Sequence, residues 1–222
     1  MELAKPAVDV GLYTNDLDAM LAFWQEQAHT PFTELLKIGG GQHQHRHAIG
    51  DSVLKVNHRR EPVTTSSPSG LRQLEIFSDQ VDETVEMLDP DGNELLLSPT
   101  RDDERNLCLH MTTNNLHQAR HFYGKVLGLP ETAEHTFEVG ASLIHFTQGS
   151  VAPIERTALG YRYMTFQVFD VLGTHQGILK AGGTQGMAPV RLGDVAYISF
   201  VRDPDGNWLE ISQRKSITGS LE

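Results

Sequence analysis

The sequence of 222 residues contains one cysteine, Cys108, and few basic residues. A single cysteine cannot form an internal disulfide, so the sequence gives no sign of an oxidising compartment. Lys and Arg number 18 against 29 Asp and Glu, and the resulting net charge of −11 repels nucleic acid and anionic lipid. No apolar run approaches the ~20 residues of a membrane-spanning helix. We therefore expect a cytoplasmic protein that binds neither nucleic acid nor membrane.

The rest of the composition is ordinary for a globular protein, with one exception. The chain is 39% hydrophobic and 21% charged, which is sufficient for one large domain or two compact ones. The exception is histidine, which occurs 11 times. Imidazole is both a metal ligand and a proton carrier near neutral pH, so individual histidines are candidates for either role.

Three segments of the first half of the chain return in the second half in the same order. VGLYTNDLDAMLAFWQEQ from Val10 matches LHMTTNNLHQARHFYGKV from Leu109, and GDSVLKVN from Gly50 matches GASLIHFT from Gly140. LDPDGNELLLS from Leu88 matches RDPDGNWLEIS from Arg202. The repeat predicts two homologous domains, residues 1–100 and 105–214, the first of which is shortened before its last turn.

Each half is predicted to contain two βαβββ modules, which makes the fold class α+β. The helices are predicted from capping residues that precede apolar positions at a spacing of three to four, namely Asp16, Asp79, Asn115 and Asp170. Asp-Pro-Asp-Gly predicts hairpin turns at Asp89 and Asp203. The second module of the first half goes from its helix at Leu88 directly into this turn, so we expect no strands between them.

Alternating strands of the second half place a polar face opposite the apolar one. In the strand from Tyr163 to Val168, Tyr163, Thr165 and Gln167 alternate with apolar residues. The same pattern puts further side chains on polar faces, namely Cys108, His110, His145, Trp208 and Glu210. Water alone does not explain a tryptophan, a tyrosine and a cysteine on such a face, so we expect a curled sheet around a small-molecule cavity.

The paired modules, FYGKVLGLP after the first helix of the second half and RDPDGNWLEISQ as the last hairpin resemble the vicinal oxygen chelate superfamily. That superfamily includes glyoxalase I, extradiol dioxygenases and bleomycin-resistance proteins. The resemblance implies a divalent metal, zinc, iron, manganese or nickel, that a substrate chelates through two adjacent oxygens. The positions that match its ligands are Cys108, His145, Tyr163 and Glu210, and the third ligand beside His145 and Glu210 is either His110 or Cys108.

In the first half, the matching positions are Asp9, Lys55, Leu71 or Arg72, and Leu96, a set that implies no metal. The resemblance therefore assigns the site to residues 105–214. The leading hypothesis is a metal-assisted lyase or isomerase of the glyoxalase kind, or an extradiol-type dioxygenase, acting on a small oxygen-rich molecule. Glu210 is the expected ligand or base, and Tyr163 or His110 is expected to stabilise an enolate.

Several alternatives stay open at this stage. Glu210 could instead form a salt bridge with Arg162 or Arg191. The protein could also be a metal-free binding protein that sequesters a compound, as bleomycin-resistance relatives do, and it could form a homodimer. A run of alternating histidines, His43, His45 and His47, predicts either a metal or anion site or simply a polar strand face.

Overall fold

The computed structural model describes residues 1–101 and 103–221. The strands are β1 Leu3–Thr14, β2 Phe32–Gly39, β3 Gln42–Ile49, β4 Ser52–Arg59, β5 Leu71–Ser78, β6 Val85–Leu88, β7 Glu94–Pro99, β8 Leu107–Thr113, β9 Glu131–Ala133, β10 Thr136–Val139, β11 Ser142–Gln148, β12 Gly160–Val168, β13 Thr184–Leu192, β14 Ala196–Arg202 and β15 Trp208–Arg214. The helices are α1 Leu17–Ala22, α2 Leu116–His121, α3 Val171–Lys180 and α4 Lys215–Thr218. None of the helices in these ranges has the length and apolar character needed to span a bilayer.

Three of the four predicted module helices begin where their capping residues predict. The side chains of Asp16, Asn115 and Asp170 each accept a hydrogen bond from the backbone N–H three residues later, at 3.2, 3.1 and 2.9 Å. Both α1 and α2 continue into a π-helical turn, Phe23–Gln27 and Phe122–Val126, whose aromatic residues are buried. These three helices are therefore explained by local sequence signals together with an apolar face.

The helix predicted from Asp79 is wrong, because β6 forms in its place. Only residues 79–84 separate β5 from β6, which leaves no room for a helix before the antiparallel pairing of β6 with β7. Val85 and Leu88, the apolar positions from which this helix is predicted, are 40% and 63% exposed. The shortened module therefore lacks its helix and one strand but keeps the strand that precedes its last turn.

The strands form two sheets, and each sheet contains one module from each half of the sequence. Within the described ranges, the eight-stranded sheet I has the order β13-β14-β15-β12-β1-β4-β3-β2, and the seven-stranded sheet II has the order β6-β7-β5-β8-β11-β10-β9. The first module thus pairs with the fourth through β1 and β12, and the second with the third through β5 and β8. The sequence halves 1–100 and 105–214 each contribute to both sheets.

The apolar faces of both sheets and their helices share one core. Leu12, Leu54 and Phe166 of sheet I and Leu74 and Ile144 of sheet II are fully or almost fully buried in the same hydrophobic cluster. The predicted alternation is confirmed, because the opposite face of each sheet carries the polar side chains. A polar concave face therefore exists on each sheet, and chemistry is possible on both.

Candidate functional site

The structure distributes the predicted site residues over both sheets. Cys108 and His110 lie on β8 and His145 on β11, all in sheet II. Tyr163 lies on β12 and Glu210 on β15, both in sheet I. The third and fourth modules belong to different sheets, so these five side chains do not converge on one hollow as expected. The predicted ligand set is thereby divided.

Glu210 is held by an ammonium group from the first half of the chain. Its Oε2 lies 2.7 Å from Nζ of Lys55 and 2.6 Å from Oγ1 of Thr165, and the same Thr165 oxygen is 2.6 Å from Lys55 Nζ. Only 4% of the Lys55 side chain and 12% of the Glu210 side chain are exposed. Glu210 does form an ion pair, but with Lys55 rather than with Arg162 or Arg191.

The ion pair fixes the charge state of both groups. Burial by itself would raise the pKa of Glu210, but the ammonium and the two hydrogen bonds outweigh it and lower that pKa below its usual value. Burial likewise lowers the pKa of Lys55, and the Glu210 carboxylate opposes this change. Lys55 therefore lies as a cation against the carboxylate that was predicted to bind a metal.

Tyr163 is a buried, neutral phenol in the same region. Its hydroxyl accepts hydrogen bonds from Nδ2 of Asn57 at 3.1 Å and Nε2 of Gln44 at 3.4 Å. Burial raises its pKa well above the usual value, and the neighbouring carboxylate of Glu210 adds to this effect. Its ring packs directly over Gly11, where a Cβ atom would overlap it. Tyr163 thus forms a fixed polar wall, and its predicted catalytic role stays a prediction.

Sheet II contains a cluster of possible metal ligands. A carboxylate oxygen of Glu75, Sγ of Cys108 and an imidazole nitrogen of His110 all lie within 4.8 Å of one another. His110 Nε2 is 2.9 Å from Glu75 Oε2, and the hydroxyl of Ser98 donates to Glu75 Oε1 at 2.8 Å. The cluster brings together two predicted residues and one that was not predicted.

Glu75 could have been found from the sequence. In the segment LRQLEIFS, Gln73 and Glu75 alternate with Leu74 and Ile76, the same pattern that identified the polar faces of the second half. The resemblance matches the superfamily's ligand position on this strand to Leu71 or Arg72 instead. The alternation was the available signal, and it places Glu75 on the face that carries His110.

Hydrogen bonds set the charges in this cluster. Bonds to the sulfur of Cys108 and the carboxylate of Glu75 raise the pKa of His110 to about 10, against the opposing effect of burial. The bond from His110 is also the largest cause that lowers the pKa of Glu75. The His110 and Glu75 side chains are 30% and 20% exposed, so a small molecule can reach them.

His145 lies beside the cluster on the neighbouring strand. It is the register partner of His110, and the two ring centroids are 6.0 Å apart. Burial and the charge of His110 lower the pKa of His145, which favours a neutral imidazole. Its Nδ1 is 2.9 Å from Oγ1 of Thr136. His145 therefore adjoins the three possible ligands as a neutral nitrogen base.

The two sheets differ in whether their side chains suit a divalent metal. A carboxylate, a thiolate and an imidazole are ligands of zinc and related ions, and three protein ligands are usual in catalytic zinc sites. Glu75, Cys108 and His110 therefore fit such an ion once His110 has lost its proton. In sheet I the ammonium of Lys55 already contacts Glu210, and a second cation at that carboxylate would be repelled.

The histidine run on β3 faces away from the polar face of sheet I. Gln44 and Arg46 point into the cavity on that face, so the alternating His43, His45 and His47 point to the other side. His47 is buried with its Nδ1 3.1 Å from the carbonyl oxygen of Thr30. Burial lowers the pKa of both His45 and His47. This environment favours the polar-strand interpretation over a metal site.

Residues 106–211 match the model of the Glyoxalase/Bleomycin resistance protein/Dioxygenase superfamily. Two curated proteins named "Probable lactoylglutathione lyase" are also similar to this chain. The one from Vibrio parahaemolyticus is 38% identical over 68 residues, which are 30% of this chain and 47% of that protein. The one from Vibrio cholerae is 28% identical over 137 residues, covering 54% of this chain and 98% of that protein. The chain thus spans about half of the first relative and almost all of the second.

The fold resembles solved structures of glyoxalase I. A variant of glyoxalase I from Zea mays superposes with a TM-score of 0.79 at 14% identity, covering 100% of this chain and 96% of that chain. At this identity the likeness concerns the fold, and it extends over both halves of the sequence. The predicted α+β fold and the predicted resemblance are confirmed. Residues 106–211 of the chain are therefore similar to the glyoxalase/bleomycin resistance protein/dioxygenase superfamily.

Proposed function

We propose that this protein is a metal-assisted enzyme of the glyoxalase-like kind that acts on a small oxygen-rich molecule at sheet II. The observation that supports it is the proximity of Glu75, Cys108 and His110, whose ligand atoms lie within 4.8 Å of one another on a polar sheet face. Glu75 replaces Glu210 in the ligand set that the sequence predicted. The roles assigned below to individual residues are part of this proposal.

Glu75, Cys108 and His110 would hold the ion. A bound divalent cation supplies Lewis-acid polarisation of the substrate's adjacent oxygens. Ser98 donates to one oxygen of Glu75 at 2.8 Å, which orients the carboxylate and leaves its other oxygen directed at His110. The partial exposure of Glu75 and His110 gives a substrate access to this face.

His145 is suited to accept a proton from the substrate. The hydroxyl of Thr136 donates to the carbonyl oxygen of Glu134 at 3.2 Å, so its oxygen can accept from Nδ1–H of His145. This tautomer leaves Nε2 with a free lone pair, and the lowered pKa keeps the ring neutral near pH 7. A neutral imidazole beside the ligand cluster can serve as the general base of a proton transfer.

A lyase or isomerase reaction is the specific form that we propose. Two observations support it, namely the relatives named as lactoylglutathione lyases and a neutral base beside the possible ligands. Formation or cleavage of lactoylglutathione is the first reaction to assay. An extradiol-type dioxygenase would instead consume oxygen with a catechol, and an oxygen electrode distinguishes the two.

The proposal is tested by metal analysis of the purified protein and two variants. We expect the wild-type chain to bind about one zinc, manganese, nickel or iron ion, and Glu75→Gln and His110→Ala to lose affinity at least ~10-fold. The matched control is Glu86→Gln, the same change at an exposed position of the same sheet, which should bind metal as the wild type does. A wild-type chain with no affinity for any of these ions would remove the mechanism, as would unchanged binding in both ligand variants.

The metal-free binding alternative is favoured by one observation in the other sheet. In sheet I the ammonium group of Lys55 contacts Glu210, the residue that the superfamily resemblance matches to a metal ligand. A metal-free binding function therefore concerns sheet I alone. It does not compete with the cluster of sheet II, which shares no residue with it.

A further inference from the structure

Sheet I carries a cavity on its polar face, with Lys55, Tyr163 and Glu210 among the residues that line it. The cavity volume is about 120 Å³. This is slightly less than the ~150 Å³ of a protein cavity that accepts benzene. One ring or a short chain therefore fits, and a longer ligand can extend through the mouth.

The cavity is basic although the protein is acidic. Its lining contains four cationic residues, Arg46, Lys55, Arg156 and Arg214, and among the described residues that line it the only carboxylate is Glu210. The chain as a whole has a net charge of −11. Such a local reversal of charge attracts an anion rather than a neutral or cationic ligand.

Most of these cations already have a partner. Lys55 is paired with Glu210, and the guanidinium groups of Arg46 and Arg214 share one carboxylate oxygen of Glu34 at 3.0 and 3.3 Å. Two guanidinium groups on one carboxylate leave a positive excess at this wall. An anion in the cavity would be stabilised by that excess without breaking the Lys55–Glu210 pair.

Arg156 has a different environment. Its guanidinium lies over the rings of Phe200 and Trp208, 4.7 and 6.0 Å from their centroids. Within residues 1–101 and 103–221 it has no carboxylate partner at salt-bridge distance. A guanidinium held over aromatic rings makes no hydrogen bond to them through its edge, so its N–H donors stay available for a carboxylate. Arg156 is therefore the best-placed group to bind an anionic ligand.

The remaining walls provide apolar contacts and one free acceptor. Ile38, Leu192 and Val195 line the cavity although they are 43%, 38% and 58% exposed, so its mouth is apolar. Gln167 also lines the cavity, and its buried Oε1 has no hydrogen-bond partner among the described residues. An apolar ligand body would cover the rim, and a hydroxyl or N–H on that body could satisfy Gln167.

We infer that the sheet I cavity binds a small organic carboxylate with an apolar body and does so without a metal. The carboxylate lies on the guanidinium of Arg156, near Arg46 and Arg214, and the body packs on Phe200 and the apolar rim. The site goes beyond the proposed function, because it uses no residue of sheet II. Failure of one proposal therefore leaves the other standing.

Benzoate and benzamide are suitable probes, because they have the same shape and differ in charge. Their binding to the full-length protein can be followed by calorimetry and by fluorescence of Trp208. We expect benzoate to bind with a Kd of ~1 mM or tighter and at least ~10-fold more tightly than benzamide. Arg156→Gln should weaken benzoate binding about tenfold and reduce its difference from benzamide.

Arg202→Gln is the matched control for this variant. The guanidinium of Arg202 also stacks on Trp208, at 4.0 Å, but it does not line the cavity. We expect its benzoate affinity to stay within about twofold of the wild type. Added chelator and the Glu75→Gln substitution should likewise leave benzoate binding unchanged.

Four results would overturn the inference. One is equal affinity for benzoate and benzamide, and the second is no measurable binding of either compound. The third is an equal loss of benzoate affinity in Arg156→Gln and Arg202→Gln, which would indicate a general effect of the indole environment. Loss of benzoate binding on chelation would show that the site needs a metal, and would also overturn it.

Discussion

The two sheets follow the same construction but carry opposite chemistry at their centres. In each sheet, the first strands of two modules pair antiparallel, β1 with β12 and β5 with β8. A later strand of each module then pairs parallel with the first strand of the same module, on the side away from the antiparallel pair. In sheet I the central polar side chains include Lys55, Thr165 and Glu210, and in sheet II they include Glu75 and His110.

This difference shows what one lysine changes. A lysine ammonium satisfies a buried carboxylate through hydrogen bonds and charge, and two of the three N–H donors of Lys55 are used on Glu210 and Thr165, which leaves one donor for a substrate oxygen. The Lys55–Glu210 pair thereby disfavours a metal ion at the centre of sheet I. Among its described residues, sheet II has no lysine at its carboxylate; its cation is the imidazolium of His110, which becomes a metal ligand when it loses its proton, so this sheet remains open to metal chemistry under our proposal.

The largest effect should come from breaking the ion pair of sheet I. Glu210→Gln leaves the ammonium of Lys55 buried without its counter-charge, and we expect a loss of about 3–5 kcal/mol in the free energy of unfolding. The matched comparison replaces both partners, Lys55→Met with Glu210→Leu. Because no charge is then left buried, we expect this pair to cost ~1 kcal/mol or less. Urea denaturation of the three proteins measures both.

The contrast between the single and double variants is the informative quantity. If both lose the same free energy, the carboxylate does not neutralise Lys55, and the comparison between the sheets fails. If the double variant recovers most of the loss, the ion pair is confirmed as the reason that Glu210 can lie in this buried position.

A second test concerns the wall formed by Tyr163. Gly11→Ala places a methyl group against the Tyr163 ring, which must move, and we expect a cost of about 1–3 kcal/mol together with weaker benzoate binding. The same substitution made in a Tyr163→Ala background should add less than ~0.5 kcal/mol, because the overlap is gone. Equal costs in both backgrounds would show that the strain lies elsewhere. Thermal and urea unfolding measure these differences.

Local patterns in the sequence predicted much of the fold. The caps at Asp16, Asn115 and Asp170 and the turns at Asp89 and Asp203 depend on side chain–backbone hydrogen bonds between near neighbours, which a sequence shows directly. The alternation of polar and apolar residues along a strand is also a local signal, and it predicts which face of a sheet is polar. The helix predicted after Asp79 does not form, because only residues 79–84 lie between β5 and β6. The apolar spacing that predicts this helix carries no information about where the next strand begins.

The pairing of modules could not be predicted in the same way. Every first strand has a polar and an apolar face, so the pattern of β1 does not distinguish β12 from β5 or β8 as its partner. The site predictions inherited this ambiguity, and His145 and Glu210 were placed together although their modules lie in different sheets. The sequence shows Lys55 as a cation in the first half of the chain. Only the pairing of strands from the two halves in sheet I shows that Lys55 contacts Glu210.

We expect the smallest loss in the free energy of unfolding from Glu75→Gln, the substitution in sheet II that corresponds to Glu210→Gln in sheet I. In metal-free protein, Glu75→Gln removes the carboxylate from a pair whose side chains are 20% and 30% exposed, so we expect a loss of ~1 kcal/mol or less near neutral pH. Water solvates His110 in the variant far better than it solvates Lys55 in sheet I, whose side chain is only 4% exposed. The ratio between the two losses measures the difference in burial between the sites.

The pH dependence of this loss sharpens the comparison. Because the pKa of His110 is raised from 6.5 to about 10, its protonation contributes stability that is fully present below pH 6.5 and is lost as the pH rises to about 10. The Cys108 hydrogen bond is the largest cause of that shift, so Glu75→Gln should reduce the decline in stability over this range without removing it. Urea unfolding at several pH values, with Glu86→Gln as the control, measures the slopes. Parallel profiles for Glu75→Gln and the wild type would show that the carboxylate does not hold the proton on His110, and the central pair assigned to sheet II would then have to be revised.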